Sequence, residues 1–171
     1  AKHAYYGMIS YIDEKIGNLV TALERANLSE NTIIIFTADH GEMMGERGMW
    51  YKQHFFEWAS RIPLIIHAPN KFKASRIKQN CSLVDIMPTI LELANEAPFE
   101  ELADIIDGQS LVPALSGKSV ELKDIVYSEF AADGSTGPSR MVKYRNYKYM
   151  DLEGLDELLF DLDKDPNEQE N

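Results

Sequence analysis

Apolar residues recur at three- and four-residue steps over residues 4 to 26, at Tyr5, Met8, Ile9, Ile12, Ile16, Leu19, Val20 and Leu23. This spacing predicts an amphipathic helix. "ANLSENT" then ends the helix and turns the chain. The period changes at "TIIIFT" (32–37), which is short, β-branched and apolar on both faces. That is the pattern of a central parallel strand. "ADHGEMMGERG" has the glycine content of a loop. "HFFEWAS" fits a short helix, and "IPLIIHAP" (62–69) a second buried strand bounded by prolines. "LVDIMPTILELANEA" (83–97) predicts a helix with Pro88 in its first turns, where proline is tolerated.

The character changes from about residue 98. "DGQSLVPALSG" reads as a short helical turn between glycines. "DIVYSEF", "SRMVKYRN", "YKYMDL" and "ELLFDL" are four short strand candidates separated by turns, most simply an antiparallel sheet, with "RN" as a tight turn. The expected division is therefore an α/β part over 1–97 and a small antiparallel α+β subdomain over 98–171. The boundary falls between 98 and 108. No internal repeat or low-complexity tract interrupts the pattern.

Composition narrows the class. A chain of 171 residues, 44% hydrophobic, can build a real core. A net charge of −11 makes nucleic acid a poor partner, since phosphate binding needs a basic face. Much of the acid lies in "EAPFEELADIID" and "DLDKDPNEQEN", which read as solvated surface. No run of about 18 apolar residues is present, so no membrane span is expected. The single cysteine, Cys81, excludes an internal disulfide framework and a cysteine-rich zinc site. "AKHAYYGMIS" has neither an initiator Met nor a signal-peptide core. It opens directly into helical pattern, so a piece of a longer protein is expected. Compartment is left open between bacterial cytoplasm and periplasm.

The chemistry gathers in Ile33 to Glu57. Ligands in open α/β sheets sit beyond the carboxyl ends of parallel strands. Asp39 and His40 stand there, one residue past "IIIFTA". A carboxylate beside an imidazole offers one hard oxygen and one nitrogen donor, a pairing suited to a divalent cation. Gly41 permits a close backbone approach or a positive φ angle. Two donors do not complete a site, and no second ligand cluster is evident. Lys52, at the end of the same loop, would clamp an oxygen of a tetrahedral anion such as sulfate or phosphate. Asp-His-Gly is common and loop lysines are usually just solvated. Weight comes from their join to two strands, a glycine-rich loop and the aromatic pair Trp50-Tyr51.

At these residues the chain resembles the C-terminal part of the sulfatase family, within the alkaline-phosphatase-like superfamily. The resemblance is carried by "YYGMISYIDEKIGNLV", "TIIIFTADHGEMMGERGMWYKQHFFEWASRIPLIIHAP", "SLVDIMPTILELA", "GQSLVPALSG" and "ELLFDLDKDPNEQEN". Within the family, "GERGMWYKQHFFE" and "VYSEFAADGSTGPSRMVKYRNYKY" are most similar to choline sulfatases.

The resemblance implies a mixed α/β sheet domain followed by the small antiparallel subdomain. Asp39 and His40 match late metal ligands, for Ca²⁺ with Mg²⁺ or Mn²⁺ as alternatives. Lys52 matches the sulfate-contacting lysine. The nucleophile it implies is a formylglycine, made from a Cys or Ser in an N-terminal region not contained in these residues, so the chain alone is expected to be inactive. The implied substrate is a small sulfate ester, choline sulfate first, with phosphonate monoesters or phosphodiesters as the alternative chemistry. A silent binding or assembly piece is a further alternative.

Glu129 matches a carboxylate facing the substrate's quaternary ammonium, against the plainer reading of an edge-strand surface residue. His54 departs from the choline-sulfatase pattern, in which a small residue commonly follows "WYK" plus Met. It stands as a candidate to protonate the leaving group or as a local hydrogen-bonding residue. Glu57 and Arg61 fit an i, i+4 pair, with Arg61 as loop support. Glu42, Glu46 and Arg47 shape or solvate the loop, and Trp50 and Tyr51 wall the pocket or pack beneath it.

Two imitations of the maturation motif are set aside. Cys81 in "QNCSLVD" lacks the Cys-x-Pro-x-Arg context and reads as a small, buried residue. "TGPSR" (136–140) places Thr136 at the nucleophile position, where oxidation would give a ketone. Loss of neighbouring strands would expose the apolar faces of "TIIIFT" and "PLIIHA", which leaves homo-oligomers among the states open to the chain.

Overall fold

The computed structural model describes residues 1–94, 105–118, 122–131 and 137–171. Helix α1 (Lys2–Arg25) forms where the three-and-four spacing placed it. Asn27 ends it at φ 54°, with Leu28 N–H donating to Leu23 O at 2.9 Å and Asn27 N–H to Glu24 O at 3.0 Å. These two bonds close the last turn on a left-handed residue that asparagine adopts at little cost. No residue of α1 is buried, so its apolar stripe has no cover among the described residues.

The chain then forms β1 (Ile34–Thr37), the two-residue strands β2 (Met43–Met44) and β3 (Trp50–Tyr51), the single turn α2 (Glu57–Ser60) and β4 (Leu64–His67). The stretch expected to be plain loop thus contains a small hairpin, with Met43 opposite Tyr51. β1 and β4 pair antiparallel, with Ile34 opposite His67 and Thr37 opposite Leu64. This corrects the expected parallel pattern: the connection stays at the end of β1 where it began, and no crossover helix returns the chain to the other end. β4 is also not a fully buried strand. Its residues alternate in burial, and Ile65 is 59% exposed because the described residues cover only one face.

Ser82 starts the next element through a capping box with Asp85. Helix α3 (Ile86–Leu93) follows, with Pro88 in its first turn as expected. Asp85 also accepts Gln109 N–H at 2.8 Å, and Thr89 Oγ1 accepts Leu111 N–H at 2.9 Å. These bonds dock the segment before α4 (Val112–Leu115) onto α3. The approach requires Gly108, since a Cβ there would lie 2.0 Å from Val84 O. The acidic stretch at 96–107 and the proposed boundary lie mainly outside the described residues, as does Thr136.

The last quarter is the expected four-stranded antiparallel sheet in the order β5 (Ile125–Phe130), β6 (Ser139–Tyr144), β7 (Tyr147–Leu152), β8 (Leu158–Asp161). Arg145 and Asn146 make the turn between β6 and β7, Arg145 at φ 54°. The whole is a mixed α/β arrangement. Its principal core joins both parts: Met43, Phe55, Phe56 and Ala59 pack with Met141, Met150 and Phe160. Each fully buried methionine or phenylalanine of this kind contributes about 1.5–3 kcal/mol of apolar transfer energy. Cys81, expected to be buried, is exposed.

Candidate functional site

The end of β1 delivers Asp39 and His40 to the rim of a cleft of about 410 Å³. Gly41 and Glu42 donate their N–H groups to Ala59 O at 2.7 Å and Trp58 O at 2.9 Å, fastening the Asp-His pair to α2. Only glycine permits this: a Cβ on residue 41 would lie 2.1 Å from Trp58 O. The sequence left Gly41 two uses, and the close approach is the one realised.

Asp39 Oδ1 accepts the His40 N–H at 2.9 Å. That bond holds its carboxyl below the usual aspartate range, with smaller help from the His40 ring and Lys52. Its side chain is 82% exposed. His40 Nδ1 lies 2.7 Å from Gly41 O, so it carries the proton and donates it there. Nε2 is then the lone-pair nitrogen. It stands 3.3 Å from Asp39 Oδ2 and 2.8 Å from Lys52 Nζ, which donates to it.

Asp39 Oδ2 and His40 Nε2 are close enough to serve one divalent ion, and the oxygen–imidazole pair suits such an ion. The fit is partial, because no group of three His, Cys, Asp or Glu gathers among the described residues.

His54 and Glu129 line the same cleft as Asp39, His40 and Lys52, so all five candidates meet there. His54 is partly buried, and burial pushes its imidazole below the ordinary value of 6.5. Glu129 lies on the edge strand β5 with its carboxylate held from two sides. Tyr127 Oη donates to Oε1 at 2.6 Å, and Arg140 on β6 approaches the same oxygen at 3.4 Å. Neither partner was expected from the sequence, although Tyr127 and Glu129 share a strand face at i, i+2 spacing. Trp50 and Tyr51 are not among the residues lining the cleft. Both are exposed, Tyr51 by 70%, and the Trp50 ring lies near Gly45.

The expected Glu57–Arg61 pair is present but long, at 4.0 Å. The stronger partner of Glu57 is Lys148, whose Nζ lies 2.6 Å from Oε1. The loop residues also have work: Glu46 accepts Met44 N–H at 2.5 Å and pairs with Lys2 at 2.6 Å. A larger cleft of about 1110 Å³ lies across the wall formed by Ser60, Ile62 and Leu64. It contains none of the five candidates.

The α/β scaffold thus brings a carboxylate, an imidazole with its tautomer fixed by Gly41 O, and an ammonium group together at a strand end. The sulfatase family model matches residues 1–96, and the chain belongs to the sulfatase family. It is 39% identical over 171 residues to choline-sulfatase of Rhizobium meliloti (strain 1021), spanning all of this chain and 33% of that protein. Among solved structures, phosphonate monoester hydrolase of Agrobacterium radiobacter superposes with a TM-score of 0.84 at 33% identity, covering 98% of this chain and 36% of the other. A putative sulfatase from Bacteroides fragilis gives 0.83 at 29% identity, covering 98% and 37%. The chain therefore spans about a third of the length of these relatives.

Proposed function

We propose that the protein containing this chain hydrolyses sulfate esters, with choline sulfate as the first candidate substrate. The observation that carries the reading is the 2.8 Å contact between Lys52 Nζ and His40 Nε2 beside Asp39, in a chain 39% identical to a choline-sulfatase. Asp39 and His40 would hold a divalent ion, Ca²⁺ first, which when bound supplies positive charge against sulfuryl oxygens. With Nε2 given to such an ion, Lys52 would be freed from its bond to His40. Its three N–H donors then face the anion as charge develops on the transferring group. A formylglycine formed from a residue outside these 171 would supply the oxygen that takes the sulfuryl group.

His54, neutral at pH 7 by its lowered pKa, lies in the cleft to accept or return a proton at the leaving alcohol. Glu129 and the Tyr127 ring offer a carboxylate and an aromatic face to a quaternary ammonium, which has no N–H to donate. Arg140 on the same carboxylate weakens that attraction.

The second reading is phosphonate monoester hydrolysis, favoured by the 0.84 TM-score to such an enzyme. Rates for choline sulfate, an aryl sulfate and an aryl phosphonate with the full-length protein separate the two. Faster phosphonate than sulfate turnover overturns the first. Glu129→Gln should raise KM for choline sulfate and leave the aryl sulfate unchanged. An equal effect on both esters removes Glu129 from ammonium recognition.

A further inference from the structure

Behind the cleft lies a buried ionic cluster that the reaction does not touch. Lys148, on β7, is 0% exposed, and Glu168 is 1% exposed. Three acceptors surround Lys148 Nζ closely: Phe55 O at 2.9 Å, Glu168 Oε1 at 2.9 Å and Glu57 Oε1 at 2.6 Å. Glu57 also meets Lys143 at 3.4 Å. Glu168 is a three-way tie. Its Oε1 takes Lys148, its Oε2 accepts Glu57 N–H at 2.7 Å, and its backbone carbonyl accepts the Arg47 guanidinium. Arg47 in turn stacks over Phe56 at 4.5 Å. The Glu168 backbone adopts φ 55°, a left-handed conformation that a glutamate seldom takes without outside support.

Apart from the Lys148–Glu168 pair itself, each of these contacts ends on residues 47 to 60, the segment that also carries Lys52 and His54. Lys52 and His54 stand immediately before Phe55. Trp58 O and Ala59 O accept the N–H groups of Glu42 and Gly41, which follow Asp39 and His40 directly. Segment 55–60 is thus a plate with two sides, one holding the candidate ligands and the lysine, the other bolted to β7 and Glu168.

A buried ion pair of this kind is weak as a source of stability, because desolvating the charges offsets much of their attraction. It is strong as a positional constraint, since removing one partner leaves a charge unpaired. We propose that Lys148 and Glu168 are positioning residues of the cleft: they set the separation between the Asp39–His40 pair and Lys52 through the 55–60 segment.

This inference rests on the sulfatase reading only for its kinetic consequence, so the test has two arms in the full-length protein. The first follows amide hydrogen exchange of Gly41 and Glu42. Glu168→Gln, which keeps an acceptor for Glu57 N–H but loses the charge, should speed exchange there by about tenfold while β5–β8 amides stay protected. Uniform acceleration across the sheet, or none at Gly41 and Glu42, overturns the proposal. The second measures sulfate ester turnover for the same variant. We expect kcat to fall by about tenfold or more with KM changed by less than about twofold, as for a displaced charge-stabilising group. Lys148→Arg, which retains the charge, should show a smaller loss than Glu168→Gln. Unchanged kcat in an active parent overturns the proposal. A parent with no sulfate ester turnover overturns the functional reading instead, and the exchange arm alone then decides the positioning role. Should Glu168→Gln not fold, Lys148→Arg carries both arms, with smaller changes in the same direction expected.

Discussion

Lys52 donates to the His40 Nε2 lone pair at 2.8 Å, and the negative charge beside it is that of exposed Asp39. A residue so placed contributes most when negative charge grows in the transition state. Lys52→Ala in the full-length protein should therefore lower kcat for sulfate esters by about 10²- to 10³-fold, as measured by steady-state kinetics; a change confined to KM would assign it to ground-state binding instead. His54 should titrate below 6.5 by NMR, because burial disfavours its imidazolium. The sign follows: the unfolded chain takes up the proton at the higher pH, so this group subtracts stability as pH falls below 6.5. A midpoint at or above 6.5 would show that a neighbouring charge outweighs burial. At this scale residue type brought Asp39, His40 and Lys52 forward from the sequence, and the structure places the three side by side. It was silent on Arg140, whose contact to Glu129 depends on the β5–β6 register, and it did not single out Tyr127 two residues before Glu129 on the same strand.

Elements show why some of the pattern was legible and some was not. The α1 stripe and the four alternating strands declare themselves by period, and both form. The orientation of β4 does not follow from apolar content, because a run such as "PLIIHA" serves in either direction. Lys148 was hidden by a related ambiguity. In "YKYM" either Tyr147 and Tyr149 or Lys148 and Met150 can face inward, and hydrophobicity favours the tyrosines. The structure buries the lysine because Glu57 and Glu168 await it.

Two predictions belong here. Gly41→Ala forces a Cβ against the Trp58 carbonyl and should destabilise by about 1–3 kcal/mol, seen as a lower thermal midpoint together with weakened divalent-ion binding. Burial would raise the Glu57 carboxyl, but Lys148 and Lys143 outweigh it and hold the group below its ordinary 4.5. Its contribution is thus complete above pH 4.5 and is lost as pH falls through the depressed folded value. Denaturant titrations below pH 4.5 should show a flatter pH slope for Glu57→Gln than for the parent, and equal slopes would refute the pairing.

Across the described residues, exposed apolar side chains are plentiful. Met8, Ile9, Ile12 and Leu19 of α1 are exposed, and so is Ile65 of β4. Prepared alone, these 171 residues should self-associate, and sedimentation over a rising concentration series should show growing mass; a strictly monomeric species at all concentrations would contradict this. Length and spacing suggested a partition near residue 98. Yet the core draws Phe55 and Phe56 together with Met150 and Phe160, side chains separated by about a hundred positions, a pairing that no local period can announce.

That shared core sets an order of events during synthesis. The ribosome releases Asp39, His40 and Lys52 long before Lys148 and Glu168, yet that later pair helps bolt the plate that spaces them from its far side. Until the polypeptide up to Glu168 has left the exit tunnel, the nascent loop carries its reactive groups without their final geometry. On the positioning proposal, the geometry of this cleft waits on Glu168, and a chain stalled before it would display the right side chains in the wrong places.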